Sequence, residues 1–181
     1  MPNTDKQKTM KTILITATLV LLTLCMNAQE FVSNTGSVSF VTPKDPDVSA
    51  TSQSLTSKIN LDTKEIIFSV PVQALTFANA KMQQHFNAEK VMNSAEFPKA
   101  KFVGTIVTEE SLDKDGEYAV MVEGEMTIKG STQPYTAEGT LTVSEGKIEV
   151  ISSFTINGFV FGVDSKDFGD VVEVTLNAVY E

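Results

Sequence analysis

Residues 117–144 read EYAVMVEGEMTIKGSTQPYTAEGTLTVS, two strand-length segments that meet at Lys129-Gly130-Ser131. In the first, Tyr118, Val120, Val122, Gly124, Met126 and Ile128 alternate with mostly polar residues; in the second, Tyr135, Ala137, Gly139, Leu141 and Val143 do the same. A period of two places one set on each side of a pleated strand, so the pair reads as an antiparallel hairpin with one apolar and one wet face. Such a face must close against more strands of its kind. The functional question becomes what the closed face encloses.

The same alternation extends in both directions. Ala100, Phe102, Gly104 and Ile106 share a face before the hairpin, and Asp113-Lys114-Asp115-Gly116 is the turn into it. After it come Ile148, Val150, Ser152, Phe154 and Ile156, then a loop rich in Gly and Asp, then Val172, Val174, Leu176, Ala178 and Tyr180. Towards the N-terminus, Ile66, Phe68, Val70 and Val72 alternate, and Pro71 suggests an edge or a bulge near the end of that strand. Residues 48–61 are Ser/Thr-rich and read as a strand at an edge or rim; residues 31–40 read as a first strand with Val32, Val38 and Phe40 in one register. The one helical signal lies between Phe77 and Met92, where Ala78, Met82 and Phe86 recur at intervals of four.

About eight short strands and one short helix point to an all-β sandwich or up-and-down barrel. An eight-stranded barrel is the size that holds one small ligand. Gly104, Gly124 and Gly139 all fall in inward registers. They either relieve strand curvature or leave room inside for a ligand chain.

The first 28 residues read as a secretory signal rather than folded domain. Lys6, Lys8 and Lys11 precede an uncharged apolar run at residues 13–26, with cleavage expected after Ala28 and Met10 an alternative start. That run is shorter than the roughly 20 residues a membrane-spanning helix needs. Lipidation at Cys25 is the competing reading, although Leu24 stands where a small residue would be expected. Cleavage leaves residues 29–181 as one domain without cysteine, hence without a disulfide, thiol nucleophile or thiolate metal site.

Losing Lys6, Lys8, Lys11 and Asp5 takes the net charge from −9 to −11, and none of the basic residues is arginine. An acidic chain without arginine lacks the usual phosphate and base-edge contacts, which argues against nucleic acid as a partner and against electrostatic adhesion to anionic lipid.

Two stretches carry a family resemblance. Met82-Gln83-Gln84-His85-Phe86-Asn87 with residues 92–102 (MNSAEFPKAKF) resembles the helix and strand entry of the YceI-like family. Residues 124–132 (GEMTIKGST) are similar to that family's G-x-L-T-I-x-G-x-T hairpin. The resemblance runs from about Phe31 to the C-terminus and implies a lipocalin-like antiparallel barrel that holds a long isoprenoid chain. Where many members have N-R-x-D-F-G, this chain reads Asn157-Gly158-Phe159-Val160-Phe161-Gly162, the pattern of a divergent branch.

Catalytic and metal chemistry find little support. His85 is the only histidine and has no nucleophile or orienting partner in a recognisable set, so a structural role is expected. If Gly116 is the sixth position of a calcium loop, the twelfth falls on Val122 instead of the required Glu, which makes Asp113-Lys114-Asp115-Gly116 a hairpin turn. Asp164, Asp167 and Asp170 read as a solvated loop, with weak calcium binding as the alternative. No catalytic residue, metal or cofactor is expected.

The candidate site is therefore apolar. Phe102, Val120, Val122, Leu141, Phe154 and Val174 would line the barrel, with Phe77, Met82 and Phe86 at its mouth. The function expected is a periplasmic or secreted carrier of a long apolar, isoprenoid-type small molecule. The alternatives are a non-catalytic interaction or stress-related module with a filled core, and a lipid hydrolase or isomerase dependent on His85. Burying about ten CH₂ units would contribute roughly 8 kcal/mol gross, the scale of micromolar binding before ordering costs.

Overall fold

The computed structural model describes residues 30–164 and 169–181. The expected signal segment, Cys25 and Asp167 lie outside them. The strands are β1 (Glu30–Thr42), β2 (Asp45–Asn60), β3 (Glu65–Pro71), β4 (Thr76–Phe77), β5 (Lys99–Val107), β6 (Gly116–Ile128), β7 (Ser131–Ser144), β8 (Lys147–Asn157) and β9 (Val171–Tyr180), with one helix, α1 (Ala80–Asn87). The sheet order β1-β9-β8-β7-β6-β5-β3-β2, closed by a β1–β2 pairing, makes an eight-stranded antiparallel barrel. The two-residue β4 continues the edge of β2 beyond the short β2–β3 ladder.

The central hairpin forms as its alternation demands. Ile128 pairs with Ser131, and Lys129 and Gly130 both have positive φ (48° and 74°), the geometry of a two-residue primed turn whose twist matches the flanking strands. A Cβ at Gly130 would lie 2.6 Å from the Phe97 ring, so the quoted Phe97 and Gly130 motifs are one packing contact.

Three expectations need correction. β2 is no edge: it pairs with β1 on one side and with β3 and β4 on the other. Its inward residues are Val48, Ala50 and Ser52, then Leu55, Ser57 and Ile59, because an irregularity between Ser52 and Leu55 shifts the alternation by one. The facing irregularity in β1, between Ser33 and Gly36, turns Val32 outward while Val38 and Phe40 point in. The helix is also shorter than its pattern suggests. Asn79 caps it by accepting from the Lys81 N–H at 2.9 Å, which leaves Ala78 outside and exposed. Pro71 ends β3, as its missing N–H requires.

All connections alternate between two ends. The lower end is plugged: Ile59, Leu112, Ile148 and Tyr180 are at most 2% exposed and fill the space beneath Ile66, Ile106 and Leu141. Tyr180 and Ser57 share a buried hydroxyl–hydroxyl hydrogen bond there, and Ser57 also donates to the Ile67 carbonyl at 2.9 Å.

Burial pushes the Tyr180 phenol up to about 12, against the lowering effect of its Ser57 hydrogen bond. The folded state thus keeps a proton that the unfolded chain loses near pH 10. Stability from this group is fully present below pH 10 and falls between pH 10 and 12, by up to about 3 kcal/mol, as the unfolded state binds fewer protons. Urea midpoints at pH 9 and pH 11.5 should show this alkaline loss, and Tyr180→Phe should shrink it.

Candidate functional site

Above the plug the barrel is hollow. A first chamber of ≈ 120 Å³ is walled by the inward faces of the barrel strands. Phe102, Val120, Val122, Leu141, Phe154 and Val174 all line it, so the six side chains singled out in the sequence converge on one space. A second chamber of ≈ 150 Å³ lies at the upper end, between the strands and the segments that cross over them. Val38, Val70, Ala100, Ile128, Ile156 and Val174 belong to both walls and form the waist between the chambers. A filled core does not describe this interior.

The polar groups in the wall are satisfied within the protein. The Ser152 hydroxyl donates to the Glu138 carbonyl at 2.5 Å, and the Tyr135 hydroxyl donates to the Thr155 carbonyl. Burial raises the Tyr135 pKa, and its ring stands edge-on to Phe154 at 5.7 Å. Lys101 and Glu138 also border the chamber but lie on the exposed register of their strands, and the remaining side chains are apolar. With those hydroxyls engaged, the first chamber favours a hydrocarbon over a guest that needs hydrogen bonds.

The inward glycines act mainly on the strands. A Cβ at Gly124 would sit 2.2 Å from the Val103 carbonyl oxygen, and one at Gly104 would sit 2.6 Å from both the Glu123 carbonyl oxygen and the Phe102 ring. Gly104 and Gly124 face each other across β5 and β6, and the space above Gly104 is taken by Phe102. They allow close strand approach; of the three, only Gly139 lines a chamber.

At the upper end, Phe86 lines the second chamber, while Phe77 and Phe40 pack against it at 4.9 and 5.7 Å. Ala50 lies opposite both Phe40 and Phe77 in the ladders, so small β2 side chains make space for this cluster. Phe77 is buried behind Phe86, and Met82 is half-buried against the core; neither reaches a chamber wall. Gln83 fastens the helix down: its amide oxygen accepts from the Phe77 N–H at 3.0 Å and its amide nitrogen donates to the Leu75 carbonyl at 2.8 Å. His85 is exposed on the helix.

Sequence reasoning missed part of the upper chamber. Val91, Met92 and Val163 line it from irregular segments where no periodicity marks an inward face. Lys129 was missed too. Its ammonium donates to the carbonyls of Lys90 (2.9 Å) and Gly162 (3.0 Å), tying the segment after α1 to the β8–β9 connection above the barrel. Lys129→Met should speed amide exchange about fivefold to tenfold in residues 88–95 and 158–163, corresponding to about 1 kcal/mol, while leaving the lower end unchanged.

No cluster of His, Cys, Asp and Glu suited to holding a metal ion occurs among the described residues. Asp113 instead accepts from Ser111 at 2.5 Å, which lowers its pKa, and Asp115 accepts from the Glu145 N–H at 3.2 Å within the lower loops. No helix among the described residues is long and apolar enough to cross a membrane.

No curated protein matches the sequence. Solved structures do match the fold. BcnA of Burkholderia cenocepacia superposes with a TM-score of 0.68 at 16% identity, over 80% of this chain and 95% of that one. A polyisoprenoid binding domain from Saccharophagus degradans, implicated in plant cell wall breakdown, gives 0.71 at 12%, over 84% and 97%. The Campylobacter jejuni YceI protein gives 0.55 at 15%, over 71% and 80%. The sequence profile of the YceI-like domain matches residues 27–180, which include every strand of the barrel and both chambers; the chain belongs to the YceI-like family.

Proposed function

We propose that this protein is a non-catalytic carrier that holds a long apolar, isoprenoid-type lipid in its barrel, and that residues 1–28 direct it out of the cytoplasm to the periplasm. The observation that carries the reading is the two-chambered apolar hollow, in which Ser152 and Tyr135 already have their hydroxyls engaged. The likeness to a polyisoprenoid binding domain supports it.

The geometry also bears on how the guest would sit. A methylene group fills about the space of one water molecule, whose share of the liquid is about 30 Å³. Chambers of ≈ 120 and ≈ 150 Å³ therefore take at least about four carbons each. The lower end is plugged, so a longer chain has to continue through the upper end, past Phe86 and the β8–β9 connection.

Protein purified gently from its native host and weighed whole by native mass spectrometry should carry the extra mass of one chain lipid, extractable into organic solvent. Protein that arrives empty and also leaves added polyprenyl lipids unbound would reject the proposal.

A further inference from the structure

The large apolar side chains most exposed among the described residues are adjacent. Phe159 is 74% exposed and Val160 51%, whereas no other exposed large hydrophobic exceeds 44%. Both stand on the single turn Gly158–Phe161, at the upper end of the barrel and beside the second chamber, which Gly158 lines.

This turn is held in shape. The Asn157 side chain accepts from the Phe159 N–H at 3.0 Å, the Gly162 N–H closes back on the Phe159 carbonyl at 3.0 Å, and Gly162 adopts the left-handed conformation that ends the turn. Lys129 grips the Gly162 carbonyl, and Phe161 anchors the turn in the core at 2% exposure. The backbone thus buries one aromatic ring and presents the other, with a valine, to solvent.

Charge separates the two ends. The described connections at the upper end (residues 43–44, 72–98, 129–130, 158–164 and 169–170) carry four lysines and four carboxylates. Those at the lower end (61–64, 108–115 and 145–146) carry six carboxylates and two lysines. The neutral end is the one that presents Phe159 and Val160, and the acidic end is turned away from it.

We propose that the Phe159–Val160 turn is a lipid-bilayer anchor, which seats the upper end of the barrel on a membrane surface and lets the apolar chain pass between membrane and hollow. A two-residue apolar tip is far too small for a stable protein interface, which buries about 800 Å² per partner. It suits the interfacial zone of a bilayer, where aromatic and aliphatic side chains sit among headgroups and upper acyl carbons. Insertion depends on apolar contact at the charge-balanced end, in keeping with a strongly acidic chain that has no net electrostatic attraction to anionic lipid.

The anchor rests on the carrier reading for its purpose, but its test is separate. The chain has no tryptophan, so Phe159→Trp places a sole fluorescent reporter at the tip. With vesicles of phosphatidylethanolamine and phosphatidylcholine, its emission should shift to the blue, be quenched by brominated lipid and hold its shift in high salt. In F159S/V160S, co-sedimentation with the same vesicles should fall at least tenfold, and transfer of a fluorescent polyprenyl probe between vesicles should slow by a similar factor. The lipid retained from the host should stay unchanged. Loaded Phe159→Trp protein whose indole emission ignores vesicles would sink the anchor alone, as would an F159S/V160S variant that sediments like the parent. Empty protein that still inserts would sink the carrier reading and keep the anchor.

Discussion

Ala100→Phe is expected to yield a folded barrel that leaves its host without bound lipid. Ala100 sits at the waist, with its methyl on the walls of both chambers. A phenyl ring placed there occupies space that a threaded chain would need. If it displaces about four methylene groups, at about 0.8 kcal/mol each, affinity falls by roughly 3 kcal/mol, or about 100-fold. Stability should move by no more than about 1 kcal/mol, because the ring enters a void instead of crowding a packed site. Val103→Phe is the control: it lies on the same strand but is 42% exposed on the outer face, and should leave lipid content alone. Native mass spectrometry and a binding titration with a polyprenyl probe read both variants. A100F protein that retains its full complement of lipid would show that no chain runs through the waist.

Gly124→Ala should cause the largest loss of stability. The added methyl would lie 2.2 Å from the Val103 carbonyl oxygen and 2.5 Å from the Gly104 Cα. Both obstacles are backbone, so no rotamer change relieves the overlap and β5 and β6 must part locally. Overpacking commonly costs about 1 to 3 kcal/mol when side chains can adjust; here about 3 kcal/mol or more is expected, a fall of about 10 °C in Tm for a chain of this size. Gly146→Ala offers the contrast. Its φ is 80° but nothing lies within 4 Å, so the penalty is that of left-handed backbone alone, about 1 kcal/mol. Equal denaturant midpoints for the two variants would refute the close-approach account.

What the sequence made legible follows from where each side chain's environment is set. From β5 through β9 the inward registers were readable because each strand keeps one strict alternation from end to end. β1 and β2 were misjudged in part because facing irregularities reverse the alternation midway, and because Ala50, Ser52 and Ser57 look like solvent residues. Their small size is dictated by partners far off in sequence: Phe40 and Phe77 around Ala50, and Tyr180 beside Ser57. The lining of the first chamber was legible for the same reason as the strands. The upper chamber was legible at Phe86 and where strand residues such as Val174 and Ile156 reach it, but not at Val91, Met92 and Val163, which stand on irregular segments held by contacts such as Lys129 to Lys90 and Gly162 that have no local signature.

The closure of the barrel sets a condition on its birth. Residues Ser37–Val41 of the first strand pair with Glu173–Asn177 of the last, and the Tyr180 hydroxyl reaches Ser57. A nascent chain still missing its final strand would have an open seam, with two unpaired edges and a greasy trough facing water. The barrel therefore cannot close until β9 has been made, and its first strand must wait, half-paired, for a partner about 135 residues further along the chain.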